Sequence, residues 1–206
     1  MSMNRTHDET SETLLAAAHR LLVDMGPESL TVRRIATEAG MSTMNVYSRF
    51  GGKDGVIDEL YADGYRRLVA DVKAVPVTDN ILGDIERVAQ TYRDFALQNP
   101  TYYRIMFRLS AHGFEPSQES AGLGVEGISS LIGRVRAGQD DGTIADADTD
   151  DCDEIAGWLW ATCHGLVSLE LDGVGDERLD WPTVFEKGMR RSINALRPAQ
   201  QQVPIR

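Results

Sequence analysis

Apolar residues recur along most of the chain with the 3.6-residue period of an α-helix, and strand-like alternation never exceeds a few residues. The clearest case is the apolar stripe of the first predicted helix, residues 10–25, which ends at Gly26 and Pro27. This stripe consists of Leu14, Ala17, Ala18, Leu21, Leu22 and Met25. The pattern predicts an all-α fold of about nine helices.

Two short helices follow, over residues 31–39 and 42–49, and a long helix begins at Lys53. Thr31 and Ser42 are suitable N-caps, and Gly40 suits a left-handed turn between the short helices. A longer helix followed by two short ones with a glycine turn is typical of a helix-turn-helix unit. We therefore predict such a domain in residues 1–55.

Five further helices are predicted after Pro76, which marks a boundary. They cover about residues 79–98, 101–109, 122–138, 151–172 and 181–196. Residues 56–206 are thereby predicted to form a second helical domain.

The second short helix carries small polar, amide, phenol and guanidinium groups, and no Asp or Glu occurs between Ala39 and Lys53. A helix in the major groove of DNA needs short hydrogen-bonding groups near its N-terminus, whereas carboxylates would face phosphates of the same charge. The absence of acidic residues from this segment is informative because the whole chain contains 32 Asp and Glu residues. The pattern favours a DNA-binding helix.

The net charge of −11 at first argues against a nucleic-acid partner, but the acids are unevenly distributed. Residues 1–53 contain six basic and six acidic residues, so the whole excess lies in residues 54–206. Two cysteines exclude a disulfide framework, and neither a secretory signal nor an apolar run of about 20 residues is present. We expect a cytoplasmic protein with no membrane partner.

Residues from about 13 to 60 resemble the DNA-binding domain of the tetracycline-repressor (TetR) family. The resemblance rests on spaced positions in the first four predicted helices and their turns. They are Leu14-Leu15-Ala16-Ala17-Ala18, Gly26, Thr31-Val32-Arg33-Arg34-Ile35-Ala36, Ala39-Gly40-Met41-Ser42, Val46-Tyr47, Phe50 and Lys53. A shorter stretch around Trp160 and His164-Gly165 resembles the Trp-His-Gly type of C-terminal domain in that family.

The resemblance implies two kinds of DNA contact, of which the first is to the phosphate backbone. Contacts of this kind are expected from Thr31, Arg33, Tyr47 and Lys53. The alternatives are packing against the first helix for Tyr47 and a solvated helix start for Lys53.

The second kind of contact is to base edges. Ser42, Thr43 and Asn45 are expected there, since an Asn side chain suits adenine. Met44 and Arg49 depart from the family pattern. We expect Met44 to contact a thymine methyl group and Arg49 to contact a phosphate or a guanine.

An aromatic cluster and one histidine are the candidates for an effector site in the second domain. They are Tyr92, Phe95, Tyr103, Phe107, Trp158 and His164. The alternatives are a hydrophobic core for the aromatic residues and a hydrogen-bonded core position for the histidine. The resemblance implies that some of these side chains line the cavity of a small-molecule effector.

No catalytic or phosphate-binding motif occurs in the sequence, so neither an enzyme nor a cofactor is predicted. Asp146, Asp148 and Asp150 imitate the start of an EF-hand loop. Asp151, however, stands where that loop needs glycine, and Gly157 stands where it needs glutamate, so no metal site is predicted.

These expectations combine into a homodimeric regulator, most simply a repressor that a small-molecule effector releases from a palindromic operator in double-stranded DNA. The resemblance implies a four-helix dimer interface from the last two helices, whose apolar faces include Leu159, Leu169 and Phe185. One alternative is a helical small-molecule-binding module or enzyme without DNA binding. Another is a protein-interaction module that uses the acidic surface.

Overall fold

The computed structural model describes residues 8–108, 113–145, 151–175 and 178–199. Nine α-helices and no strand occur in these ranges. In chain order they are α1 (Glu9–Met25), α2 (Val32–Glu38), α3 (Thr43–Phe50), α4 (Lys53–Ala74), α5 (Ile81–Gln98), α6 (Pro100–Arg108), α7 (Gln118–Asp140), α8 (Cys152–Leu171) and α9 (Trp181–Ala195). The predicted all-α architecture is confirmed.

The ends of the first three helices follow from local capping. Asp8 caps α1 by accepting a hydrogen bond from the Ser11 N–H, and the Thr31 hydroxyl accepts one from the Arg34 N–H at 3.2 Å. Gly51 ends α3 in the left-handed conformation, with φ of 73°. At most of the helix ends, the observed boundary differs from the predicted one by a single residue.

The described residues divide into two compact units. The first comprises those of Met1–Arg66 and Thr101–Leu123, and the second those of Arg67–Pro100 and Gly124–Arg206. Helices α4 and α7 each contribute residues to both units. The predicted division of the chain after residue 55 stays a prediction.

The first unit is built around side chains from α1, α2 and α3. Leu14, Ile35 and Val46, one from each helix, are completely buried. The start of α4 lies so close to the end of α3 that a Cβ on Gly55 would be 1.8 Å from the Phe50 carbonyl oxygen. Since glycine has no Cβ, it permits this close approach of α3 and α4.

The second unit contains a buried ionic cluster beside its apolar core. Asp84 is completely buried and accepts hydrogen bonds from the Thr78 N–H at 2.6 Å and the Thr78 hydroxyl at 2.7 Å. Arg87 pairs with the same carboxylate, and buried Arg134 donates to the Val75 carbonyl at 2.8 Å. Burial alone would raise the pKa of Asp84, but the Thr78 hydrogen bonds and the two arginine charges hold it below its ordinary value.

Candidate DNA interface

Helix α3 buries one side and exposes the other. Val46 and Phe50 face the core of the first unit, whereas Met44 is 71% exposed and Tyr47 is 55% exposed. The Tyr47 ring lies beside the turn that follows, since a Cβ on Gly52 would be 3.9 Å from the Tyr47 Cε1. The exposure of Tyr47 is compatible with the predicted phosphate contact, which stays a prediction beside the alternative of packing against the first helix.

The other predicted phosphate-contacting residues are also exposed. Thr31 and Arg33 lie at the start of α2, and Lys53 lies at the start of α4 with its ammonium 3.9 Å from the Asp54 carboxylate. A cationic side chain and the N–H groups of a helix start are both suited to anions. These residues form an exposed polar surface around α3 within the first unit.

The predicted base-contacting residues differ among themselves in exposure. Ser42, Thr43 and Met44 are exposed at the N-terminal end of α3, whereas Asn45 and Arg49 are half-buried. The Arg49 Nη1 donates to the Asn45 Oδ1 at 3.3 Å, so the two side chains lie against each other. The structure therefore separates Thr43 and Met44, which project freely, from Ser42, Asn45 and Arg49, which make side-chain contacts with one another.

Asp8 lies at this surface, although the sequence does not predict it as part of the DNA interface. Its carboxylate pairs with Arg49, with 2.8 Å between the Asp8 Oδ2 and the Arg49 Nη2. Hydrogen bonds from Arg49 and from Ser11 hold the pKa of Asp8 far below its ordinary value. The position of Asp8 before an apolar stripe marks it as a helix cap, but nothing in the sequence indicates a partner 41 residues later.

In the second unit, the structure brings two of the predicted effector-site residues together. The Tyr92 hydroxyl is 2.9 Å from the His164 Nδ1, which links α5 to α8. The Trp160 ring lies 6.0 Å from the His164 ring, so it belongs to the same group although it was not predicted there. Phe95 is buried on α5, whereas Trp158 is 44% exposed on α8.

The remaining two candidates, Tyr103 and Phe107, lie in the first unit. Their ring centroids are 4.9 Å apart, and the Phe107 ring is 5.8 Å from that of Tyr65. The six predicted residues are thus divided between the two units, and their joint role as an effector site stays a prediction.

The acidic segment predicted to bind no metal is only partly visible. Asp146, Asp148 and Asp150 lie outside the described residues. Asp151 occupies the N-cap position of α8, and its carboxylate lies within 4.8 Å of the ligand atoms of Cys152 and Asp153.

Among the helices that the structure describes, none is both long and apolar enough to cross a membrane.

The fold and the exposed, acid-free face of α3 define a DNA-binding regulator of the helix-turn-helix class. A family model for the C-terminal domain of tetracyclin-repressor-like proteins matches residues 85–192, which is more than half of the chain. A second model, for bacterial regulatory proteins of the tetR family, matches residues 14–60. The chain belongs to the TetR family of transcriptional regulators.

Individual relatives agree with this assignment. The HTH-type transcriptional regulator Rv1816 of Mycobacterium tuberculosis is 23% identical over 176 residues, which cover 84% of this chain and 73% of that protein. A solved structure of a protein with unknown function from Rhodococcus sp. RHA1 has a TM-score of 0.81 at 23% identity, covering 96% of this chain and 100% of that one. The fatty acid degradation regulator FadR from Bacillus halodurans has a TM-score of 0.72 at 13% identity, covering 97% and 100%. These structural likenesses show the fold.

Proposed function

We propose that two copies of this regulator bind a palindromic operator as a repressor, and that a small molecule bound in the second unit releases them. The exposed, acid-free face of α3 carries the proposal. An eight-residue helix is about 12 Å long, so one copy contacts only a few base pairs and a second copy is needed for a specific site. The protein acts in the cytoplasm and without enzymatic activity in this proposal.

The phosphate contacts come from side chains around α3. Tyr47 presents its hydroxyl from an exposed ring, and Lys53 adds a positive charge at the start of the 22-residue α4. Thr31 and Arg33 contact the backbone from the start of α2. Ser42, Thr43, Met44 and Asn45 then face the base edges.

The subunit interface lies on the outward faces of α8 and α9. Most of the apolar residues expected there, including Leu159 and Phe185, are buried within the protomer and are unavailable to a partner. Trp158 and Leu169, however, are 44% and 43% exposed, and they lie on one face of α8 with Gly165. This exposure supports a place for Trp158 in the interface rather than in the effector site.

The effector site includes the Tyr92–His164 pair. A hydroxyl and an imidazole that link α5 to α8, whose buried residues are mostly apolar, are suited to orient a ligand that is itself mostly apolar. The effector favours the conformation that binds the operator poorly, so each ligand weakens the binding of the other.

Selection of bound fragments from a random duplex pool tests the operator proposal, and a palindromic consensus is expected. Tyr47→Phe combined with Lys53→Ala should then weaken binding and reduce the salt dependence of log K by about one phosphate contact per subunit. Lys73→Ala is the matched control, because it removes one exposed positive charge from the second unit.

Thermal unfolding of all three proteins shows whether the folds are equally stable. Unchanged binding in the double variant contradicts the proposed phosphate contacts. A consensus without two-fold symmetry contradicts the proposed dimer on DNA.

A further inference from the structure

The Asp8 carboxylate has two functions in the first unit. Its Oδ1 accepts hydrogen bonds from the N–H and the hydroxyl of Ser11, both at 2.8 Å, and so caps α1. The same carboxylate accepts two hydrogen bonds from Arg49, from Nε at 3.1 Å and from Nη2 at 2.8 Å. Such a bidentate ion pair fixes the plane of the guanidinium group as well as its position.

The third nitrogen of the Arg49 guanidinium contacts residues of α3. Its Nη1 donates to the Asn45 Oδ1 at 3.3 Å, and the Asn45 Nδ2 donates to the Ser42 hydroxyl at 3.4 Å. An arginine can only donate hydrogen bonds, so the amide oxygen of Asn45 must be the atom that faces Arg49. The orientation of this amide therefore follows from the chemistry of its neighbour.

The Asn45 amide, fixed in this orientation, still has one hydrogen-bond acceptor site and one donor free for a base. Its oxygen has two lone pairs and its nitrogen two hydrogens, and the contacts to Arg49 and Ser42 use one of each. Recognition of adenine needs one acceptor and one donor on the same amide, for the adenine N6 and N7. A correctly oriented Asn45 supplies both.

We propose that Asp8 is a specificity-determining positioning residue, which holds Arg49 away from DNA and thereby orients the Asn45 amide toward adenine. This inference depends on the proposed function, because it requires Asn45 to face a base. It adds a residue that lies outside the segment matched by the tetR family model, residues 14–60. It also gives Arg49 a role inside the protein instead of a contact with phosphate or guanine.

Asp8→Asn separates the two functions of the carboxylate. The amide oxygen of the substituted side chain still accepts from Ser11, and Asn is as good an N-cap as Asp. Its other group is an NH2, which cannot accept a hydrogen bond from the Arg49 Nη2, and the negative charge that attracts the guanidinium is lost. The Arg49 Nε can still donate to the capping oxygen. Asp8→Asn therefore removes the bidentate ion pair and loosens Arg49, while α1 stays capped.

The experiment is the selection of bound sequences from a random duplex pool, performed with the full chain and each variant. The preference for adenine at one base pair of each half-site should fall by about tenfold in Asp8→Asn. Arg49→Gln, which leaves the cap intact, should lower the preference at the same base pair, and Asn45→Ala identifies that base pair. Glu9→Gln is the control, because it removes a neighbouring carboxylate that makes no contact with Arg49.

The outcomes distinguish this inference from the function on which it depends. A wild-type protein that selects no consensus overturns the proposed function and the inference together. A consensus that Asp8→Asn and Arg49→Gln leave unchanged overturns the inference alone. A change in Arg49→Gln at a base pair other than the one identified by Asn45→Ala also overturns it, because Arg49 would then contact that base directly in the wild-type protein.

Discussion

The two units use their polar side chains in opposite ways. In the first unit, the polar side chains of α3 lie on the surface, where Thr43 and Met44 project freely. In the second unit, Asp84 and Arg134 are buried among apolar helices and engaged by hydrogen bonds within the protein. Polar groups of the first kind are available to a partner such as DNA, whereas those of the second kind maintain the fold.

This contrast has an energetic consequence. Substitution of an exposed polar residue changes the free energy of unfolding by less than about 0.5 kcal/mol, while loss of a buried charge partner costs several-fold more. Stability measurements can therefore test the contrast independently of any DNA or effector.

The largest effect is expected for Asp84→Asn. The substitution removes a completely buried carboxylate that pairs with Arg87 and whose charge favours the charged form of buried Arg134, so the free energy of unfolding should fall by about 3–5 kcal/mol. Urea denaturation followed by circular dichroism measures the change. Glu86→Gln, an exposed acid on the same helix, is the control and should have little effect.

The same pair of proteins gives a pH test. Because the folded-state pKa of Asp84 is depressed, its contribution to stability is fully present above the unfolded pKa of about 3.9. It is lost as the pH falls through the folded-state pKa. The stability difference between wild type and Asp84→Asn should thus be constant from neutral pH to about pH 5 and shrink only in stronger acid.

An intermediate effect is expected for Gly55→Ala in the first unit. The added Cβ would collide with the Phe50 carbonyl oxygen, so α3 must shift and stability should fall by about 1–3 kcal/mol. DNA binding should weaken in the fraction that remains folded, as an electrophoretic mobility shift would show. Gly133→Ala, where the Cβ meets no atom within 4 Å, should instead stabilise the protein by about 0.4–1 kcal/mol.

A smaller effect is expected for Tyr92→Phe. The change removes the hydroxyl that lies 2.9 Å from the His164 Nδ1 and should cost about 1 kcal/mol of unfolding free energy. Thermal unfolding in the absence and presence of an effector distinguishes a structural from a binding role. An effector that protects both proteins equally would show that this hydroxyl does not contact it.

The smallest effect is expected for Glu38→Gln, which breaks the ion pair between Arg20 and Glu38. The two groups are 2.9 Å apart, but both side chains are exposed, so the change should cost no more than about 0.5 kcal/mol. The difference should disappear at high salt, which screens exposed charges. A loss comparable to that of Asp84→Asn would contradict the contrast between the units.

The features that the sequence predicts well depend on neighbours within a few residues. The end of α3 follows from Gly51, and its two faces follow from the spacing of Val46 and Phe50. Ser42 occupies the predicted N-cap position, but its hydroxyl makes no capping hydrogen bond. The start of α7 was predicted four residues too late, although Ser117 is a local capping signal whose hydroxyl accepts from the Ser120 N–H.

The features that the sequence does not reveal depend on distant pairs. Asp8 lies next to Arg49 only because α1 and α3 pack together, and no local pattern distinguishes it from other N-caps. The same is true of Arg134 and the Val75 carbonyl, which are 59 residues apart. The pairing of Tyr92 with His164, in contrast to the exposure of Trp158, likewise required the fold.

The isolation of Met44 has a consequence for how relatives of this protein diverge. Its side chain is 71% exposed, so substitutions there can alter the preferred operator while leaving folding intact. Asn45 belongs to a chain of contacts that ends at Asp8, so a change of base preference at that site requires compensating changes at positions 8 and 49. We expect duplicated genes to acquire new targets first through position 44, and designers of altered regulators to find the same route easiest.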